Sequence, residues 1–214
     1  MRLIGFYDYT VILTYISLFS GLAGIKSAFD GRLGLAIGCL VFSGVLDMFD
    51  GAVARTKKNR TQDEKNFGIQ LDSLCDIVCF GVLPAAFLYC SGVQSIAGMA
   101  ILAVYVLCAL IRLAFFNVLE MRRQQTEGGC AKGYRGLPVT SAAIILPFFH
   151  LVGLALPGNV LLVIYHVVPA VTAVLFVWDF TIPKMDIGKY LFRSKENAKK
   201  RREDCLSSLL FLLQ

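Results

Sequence analysis

Six apolar runs, each about as long as the 20 residues needed to cross a bilayer as an α-helix, constrain this chain more than anything else. They cover residues 9–28, 33–54, 68–90, 95–118, 137–156 and 159–178. A chain surrounded by lipid must satisfy its backbone hydrogen bonds internally, which leaves helices or closed barrels. Runs of this length are twice what a barrel strand needs. The sequence therefore predicts an all-α integral membrane protein: a bundle of six transmembrane helices within residues 1–182, then a basic tail over 183–214. The tail ends in Leu206–Leu213, which is too short to span. Hydrophobic residues make up 57% of the chain and mean hydropathy is +0.66, which excludes an ordinary soluble domain. Gly21 and Gly24 in the first run are small residues of the kind that let helices approach closely in lipid.

The formal charge of +6 does not point to nucleic acid, because the basic residues fall in loops and in the tail. Their distribution is topological. With the N-terminus, the 55–67 loop, the 119–136 loop and the tail on one side, that side holds 18 of the 21 lysines and arginines. Only Lys26 and Arg32 fall opposite, and Arg112 lies within a span. Both termini are expected to face the cytoplasm, with no removable signal peptide at the N-terminus. The basic run Lys199–Arg202 suits a solvated segment attracted to anionic headgroups. Seven cysteines without a CxxC pair, mostly in apolar segments, are expected as free thiols.

Four aspartates interrupt the second and third runs. Successive residues of an α-helix advance by about 100°, so Asp47, Asp50, Gly51 and Ala54 share one face of the second run. Gly68, Asp72 and Asp76, spaced by four, share one face of the third. If the faces meet, four carboxylates converge, and in apolar surroundings they require a neutralising cation. Carboxylate oxygens suit hard divalent ions such as Mg²⁺ or Mn²⁺, so the pattern is read as a site for two metal ions. A divalent-cation carrier would use the same residues. Against it, every intramembrane carboxylate lies towards one face, leaving the outer half without polar stepping stones.

The pattern DxxDGxxAR…GxxxDxxxD, carried here by Asp47, Asp50, Gly51, Ala54, Arg55, Gly68, Asp72 and Asp76, resembles the signature of the CDP-alcohol phosphatidyltransferases. The twelve residues between Arg55 and Gly68 exceed that family's usual spacer and suggest a longer loop. The resemblance implies a membrane enzyme that moves a phosphatidyl group from a CDP-lipid to an alcohol and releases CMP. It implies Asp47, Asp50, Asp72 and Asp76 as metal ligands, with Asp76 also the catalytic general base. Asp47, Asp50, Gly51, Ala54, Arg55 and Gly68 would bind the CDP-lipid, and the protein would be a homodimer.

Downstream stretches are similar to the phosphatidylserine synthase branch: Leu71-Asp72-Ser73-Leu74-Cys75-Asp76, then Phe80-Gly81-Val82-Leu83-Pro84-Ala85, then Arg112-Leu113-Ala114-Phe115-Phe116-Asn117-Val118, then Gly136-Leu137-Pro138. This likeness implies CDP-diacylglycerol and L-serine as substrates; glycerol 3-phosphate, inositol or an inositol phosphate are the other acceptors to weigh. The departures are Cys79, Leu83, Phe115 and Thr140, of which Phe115 removes a cation. Arg112, Asn117 and Arg135 are candidates for holding the acceptor or a phosphate, arginine's planar fork being suited to either anion. His150 and His166 stand alone among apolar residues and are read as packing or hydrogen-bonding groups.

Overall fold

A computed structural model describes residues 5–7, 9–54, 57, 61–125 and 133–183. Its helices are α1 (Ile12–Phe29), α2 (Leu33–Ala54), α3 (Gln62–Asp76), α4 (Leu83–Cys90), α5 (Ile96–Gln125), α6 (Ala142–Leu154) and α7 (Gly158–Val177). A six-residue π turn, Ile77–Val82, joins α3 to α4 end to end. The seven helices thus form six rods, of which five are long and apolar enough to cross a membrane. The remaining rod, Val139–Leu154, is shorter than the span expected over 137–156. Prolines bracket it: Pro138 is extended before it, and Pro157 is extended at the cap of α7. Proline also disfavours the α conformation in the residue before it.

The third rod differs most from expectation. It begins at Gln62 and not at Gly68, so half of the twelve-residue spacer is helix and the loop is correspondingly short. The cause is a capping box. The Thr61 hydroxyl accepts from the Glu64 amide at 3.2 Å, and the Glu64 carboxylate accepts from the Thr61 amide at 2.9 Å. Asp63 and Glu64 in the first turn also favour the helix N-terminus.

Large apolar side chains cover the outside of the rods, including Phe19, Met48, Ile96 and Ile144. That surface suits lipid, not water. The interior is built where small residues admit close approach. A β-carbon on Gly21 would lie 2.7 Å from Cys79 Sγ, and one on Gly24 would lie 2.9 Å from Cys39 Cβ and from Leu83 Cδ2. Polar side chains also join the rods. Ser43 Oγ donates to the Ser17 carbonyl at 3.2 Å, and Ser20 Oγ donates to the Cys39 carbonyl at 3.1 Å. Cys75 and Cys79 donate to the Thr14 and Ser17 carbonyls at 3.2 and 3.3 Å. All five cysteines among the described residues are free thiols.

Gly24→Ala tests this close packing. A helical Gly→Ala change gains about 1 kcal/mol of propensity, but overpacking costs about 1–3 kcal/mol. The expected net result is a lower thermal midpoint in detergent. Gly34→Ala on α2, with open space around the added carbon, should leave the midpoint unchanged or raise it.

The chain divides into two compact units: residues 1–130 with 135–180, which hold the helices of the described residues, and residues 131–134 with 181–214. The described residues of the second, 133–134 and 181–183, lie in two short paired strands, β1 (Gly133–Arg135) and β2 (Thr181–Pro183). The basic tail from Lys184 onward, with its apolar end, lies outside the described residues.

Candidate functional site

Asp47 and Asp50 stand on the last two turns of α2, and Asp72 and Asp76 on the last two turns of α3. Packing of α1 against both helices brings these ends together. One carboxylate oxygen each from Asp47, Asp50 and Asp72 lies within 4.8 Å of the others. All three residues are half-buried. Asp72 lies close enough to Asp50, and Asp76 to Asp47, for the paired carboxyls to influence each other. Asp76 is buried, with 8% of its surface exposed, and stands outside the 4.8 Å group. One helical turn, a rise of about 6 Å, separates it from Asp72. The aspartates therefore form a partly open triad with a fourth carboxyl beneath it.

Three half-buried carboxylates this close repel one another unless a cation or protons intervene. An all-oxygen donor set at this spacing fits a hard divalent ion. Gly51 and Ala54 continue the helical backbone of α2 beyond Asp50. Gly68 is half-buried one turn before Asp72 on α3. Arg55 lies outside the described residues.

Helix α5 packs against α3. Asn117 is buried, and its amide spans two residues of α3. Ser73 Oγ donates to Asn117 Oδ1 at 2.7 Å, and Asn117 Nδ2 donates to Gln70 Oε1 at 3.4 Å. These bonds clamp α3 on both sides of Leu71-Asp72. Ser73 and Gln70 were absent from the sequence-derived candidates, although Ser73 adjoins a motif aspartate. Arg112 is 7% exposed; its Nε donates to the Leu137 carbonyl at 3.3 Å, and its guanidinium lies 5.5 Å from the centre of the Phe116 ring. Gly136, in the left-handed region at φ +68°, adjoins the same group: a β-carbon there would lie 3.5 Å from Arg112 Nε and 3.1 Å from the Trp178 carbonyl. Arg135 is in β1, and its side chain lies outside the described residues.

Two departures from the motif pattern have a structural reading. Phe115 is 46% exposed on the outside of the bundle, so this position is not part of the interior wall. Cys79 donates to the Ser17 carbonyl, a bond that a hydroxyl would also make. The two histidines are engaged away from the aspartates. His150 Nδ1 lies 2.6 Å from Tyr165 Oη and packs edge-on against Phe87, and His166 Nδ1 lies 2.8 Å from the Leu162 carbonyl.

The chain is 35% identical over 143 residues to a protein of Methanothermobacter thermautotrophicus named archaetidylserine synthase, covering 66% of this chain and 57% of that one. It is 33% identical over 142 residues to a CDP-diacylglycerol–serine O-phosphatidyltransferase of Helicobacter pylori, covering 65% and 56%. It is 40% identical over 102 residues to a Saccharomyces cerevisiae protein of the same name, covering 47% and 36%. The aligned region thus spans little more than half the length of the first two relatives and about a third of the yeast protein. The sequence model of one family, described as CDP-alcohol phosphatidyltransferase, matches residues 9–178, which include both aspartate segments and all six rods. On that match, with the aspartates of two helices converging as the shared motif requires, the chain belongs to the CDP-alcohol phosphatidyltransferase family.

Proposed function

We propose that this protein transfers the phosphatidyl group of CDP-diacylglycerol to the hydroxyl of L-serine, giving phosphatidylserine and CMP. The observation that carries this reading is the Asp47–Asp50–Asp72 cluster at one end of an apolar bundle. The serine synthase names of the relatives favour serine as the acceptor.

In this reading Asp47, Asp50 and Asp72, with Asp76, hold two divalent ions, Mg²⁺ or Mn²⁺. Ions held there would supply charge neutralisation for the pyrophosphate and for the CMP that leaves. Asp47 and Asp50, with Gly51, Ala54, Arg55 and Gly68, bind the nucleotide end of the lipid. Small residues let it approach the helices, and Arg55 supplies positive charge. Asp76 acts as general base. The serine oxygen forms a bond to the phosphatidyl phosphorus, the bond from phosphorus to the CMP oxygen breaks, and the serine proton passes to the Asp76 carboxylate. A carboxylate is a weak base for an alcohol, so the proton must move as the new bond forms. Arg112 and Arg135 provide cationic surroundings for the acceptor carboxylate or a phosphate, and Asn117 completes the acceptor wall while its amide steadies α3.

The charge distribution supports a cytoplasmic site and cytoplasmic termini, where a soluble amino acid is at hand. Residues 1–182 are the catalytic domain and 183–214 a basic appendage. A homodimer is proposed from the family resemblance. The test is purified protein with CDP-diacylglycerol, Mn²⁺ and separately labelled serine, glycerol 3-phosphate, inositol and inositol phosphate. Serine alone should yield labelled lipid together with CMP. Labelled lipid from another alcohol in serine's place would reassign the acceptor.

A further inference from the structure

Asp76 is the last α-helical residue of α3, and the π turn begins at the next position. Within it the Leu83 amide donates to the Val78 carbonyl, an i→i+5 bond. A turn of this kind holds one more residue than an α turn. The face that follows is therefore displaced by about 100° relative to an uninterrupted α-helix. Residue 84, whose amide would bond the Phe80 carbonyl in an α-helix, is a proline and has no N–H. The Tyr105 hydroxyl of α5 donates to that carbonyl at 2.6 Å. Both residues are buried, Phe80 completely. The Tyr105 ring is itself held against Phe176 of α7, with ring centres 5.6 Å apart. Gly81 fits the same turn tightly: a β-carbon there would lie 2.7 Å from Ile77 Cδ1.

The α4 side cannot easily absorb a change of register. Leu83, Phe87 and Leu88 are each 1% exposed, fixed in the core. If the π turn relaxed to α geometry, α3 would have to rotate instead, carrying Asp72 and Asp76 away from Asp47 and Asp50. A carbonyl left without an amide donor by Pro84 in an apolar interior needs another donor, and Tyr105 is the residue that provides it. We propose that Tyr105 is a positioning residue: by holding the π turn after Asp76, its hydroxyl sets the rotation of α3 that keeps Asp72 and Asp76 facing α2. This inference rests on the proposed reaction only for its kinetic readout, since the metal-binding readout is independent of it.

The test compares Tyr105→Phe with wild type in purified full-length protein. Mn²⁺ affinity is measured by electron paramagnetic resonance, and turnover by CMP release. Tyr105→Phe should lower kcat about tenfold, the scale of one lost buried hydrogen bond expressed as a rate. KM for CDP-diacylglycerol should stay within about twofold, and Mn²⁺ binding should weaken by about tenfold. Tyr165→Phe is the control for general loosening. It also deletes a phenolic hydroxyl with a partner, His150, remote from the aspartates, and should change neither reading. Wild-type kcat and Mn²⁺ affinity in Tyr105→Phe would overturn the proposal, as would equal losses in Tyr165→Phe. If Tyr105→Phe does not fold, Phe176→Leu takes its place: it keeps the hydroxyl but removes the ring that holds Tyr105 in position. Losses of the same kind, about threefold, are then expected, and wild-type kcat and Mn²⁺ affinity in that variant would overturn the proposal. If wild type releases no CMP with serine, the reaction assigned above fails and Mn²⁺ affinity alone decides this proposal.

Discussion

Asp76→Asn is expected to abolish CMP release while leaving CDP-diacylglycerol binding largely intact. The amide matches the carboxyl in size and keeps an oxygen towards its neighbours, so the buried contact with Asp47 is disturbed little. It has no basicity, so it cannot take the acceptor's proton. Loss of a general base alone costs about 10²–10⁴ in rate, and loss of a negative charge beside the triad adds to that. The measurement is kcat at saturating Mn²⁺ together with equilibrium binding of the CDP-lipid. A large fall in kcat with an affinity within about threefold of wild type is expected if the role is chemical and not architectural. Turnover at the wild-type rate would remove Asp76 from the base role.

The second large effect concerns the metal. Chelator-treated protein should lose CMP release by at least about 10³-fold, because charge neutralisation at a transferring phosphoryl group is worth several kcal/mol. Added Mn²⁺ or Mg²⁺ should restore it. Asp72→Asn should show the same loss without restoration, since Asp72 is the member of the triad contributed by α3. Rescue of Asp72→Asn by moderately higher Mn²⁺ would assign Asp72 a minor share of binding. The direction is fixed by charge: each Asp→Asn change removes one negative charge from the cation site, so affinity can only fall.

Much of this architecture was legible in the residues. Apolar run length placed the rods, because a bilayer fixes how long a helix must be. The three- and four-residue spacings placed Asp47, Asp50 and Asp72 on facing sides, and the structure brings those three together. Spacing says less about depth. Gly68, Asp72 and Asp76 share a face, yet Asp76 lies a turn along the axis and outside the triad. The start of the third rod was readable but missed. Thr61-Gln62-Asp63-Glu64 is a capping box in a polar stretch, and hydropathy marks only the part of a helix that lipid covers. The π turn was readable only in part. Pro84 leaves the Phe80 carbonyl without its α-helical donor, but the replacement donor, Tyr105, lies 25 residues from Phe80 on another rod, and no local pattern encodes that contact. The Ser73–Asn117–Gln70 clamp depends in the same way on how α3 meets α5.

The central claim is that two neighbouring helices share a divalent cation between their aspartates. Titrating Mn²⁺ into purified wild-type protein and into the Asp47→Asn/Asp72→Asn double variant, and following free Mn²⁺ by electron paramagnetic resonance, tests it most directly. Saturable binding in wild type that vanishes in a double variant of unchanged helicity is the predicted result; equal Mn²⁺ uptake by both proteins would contradict it.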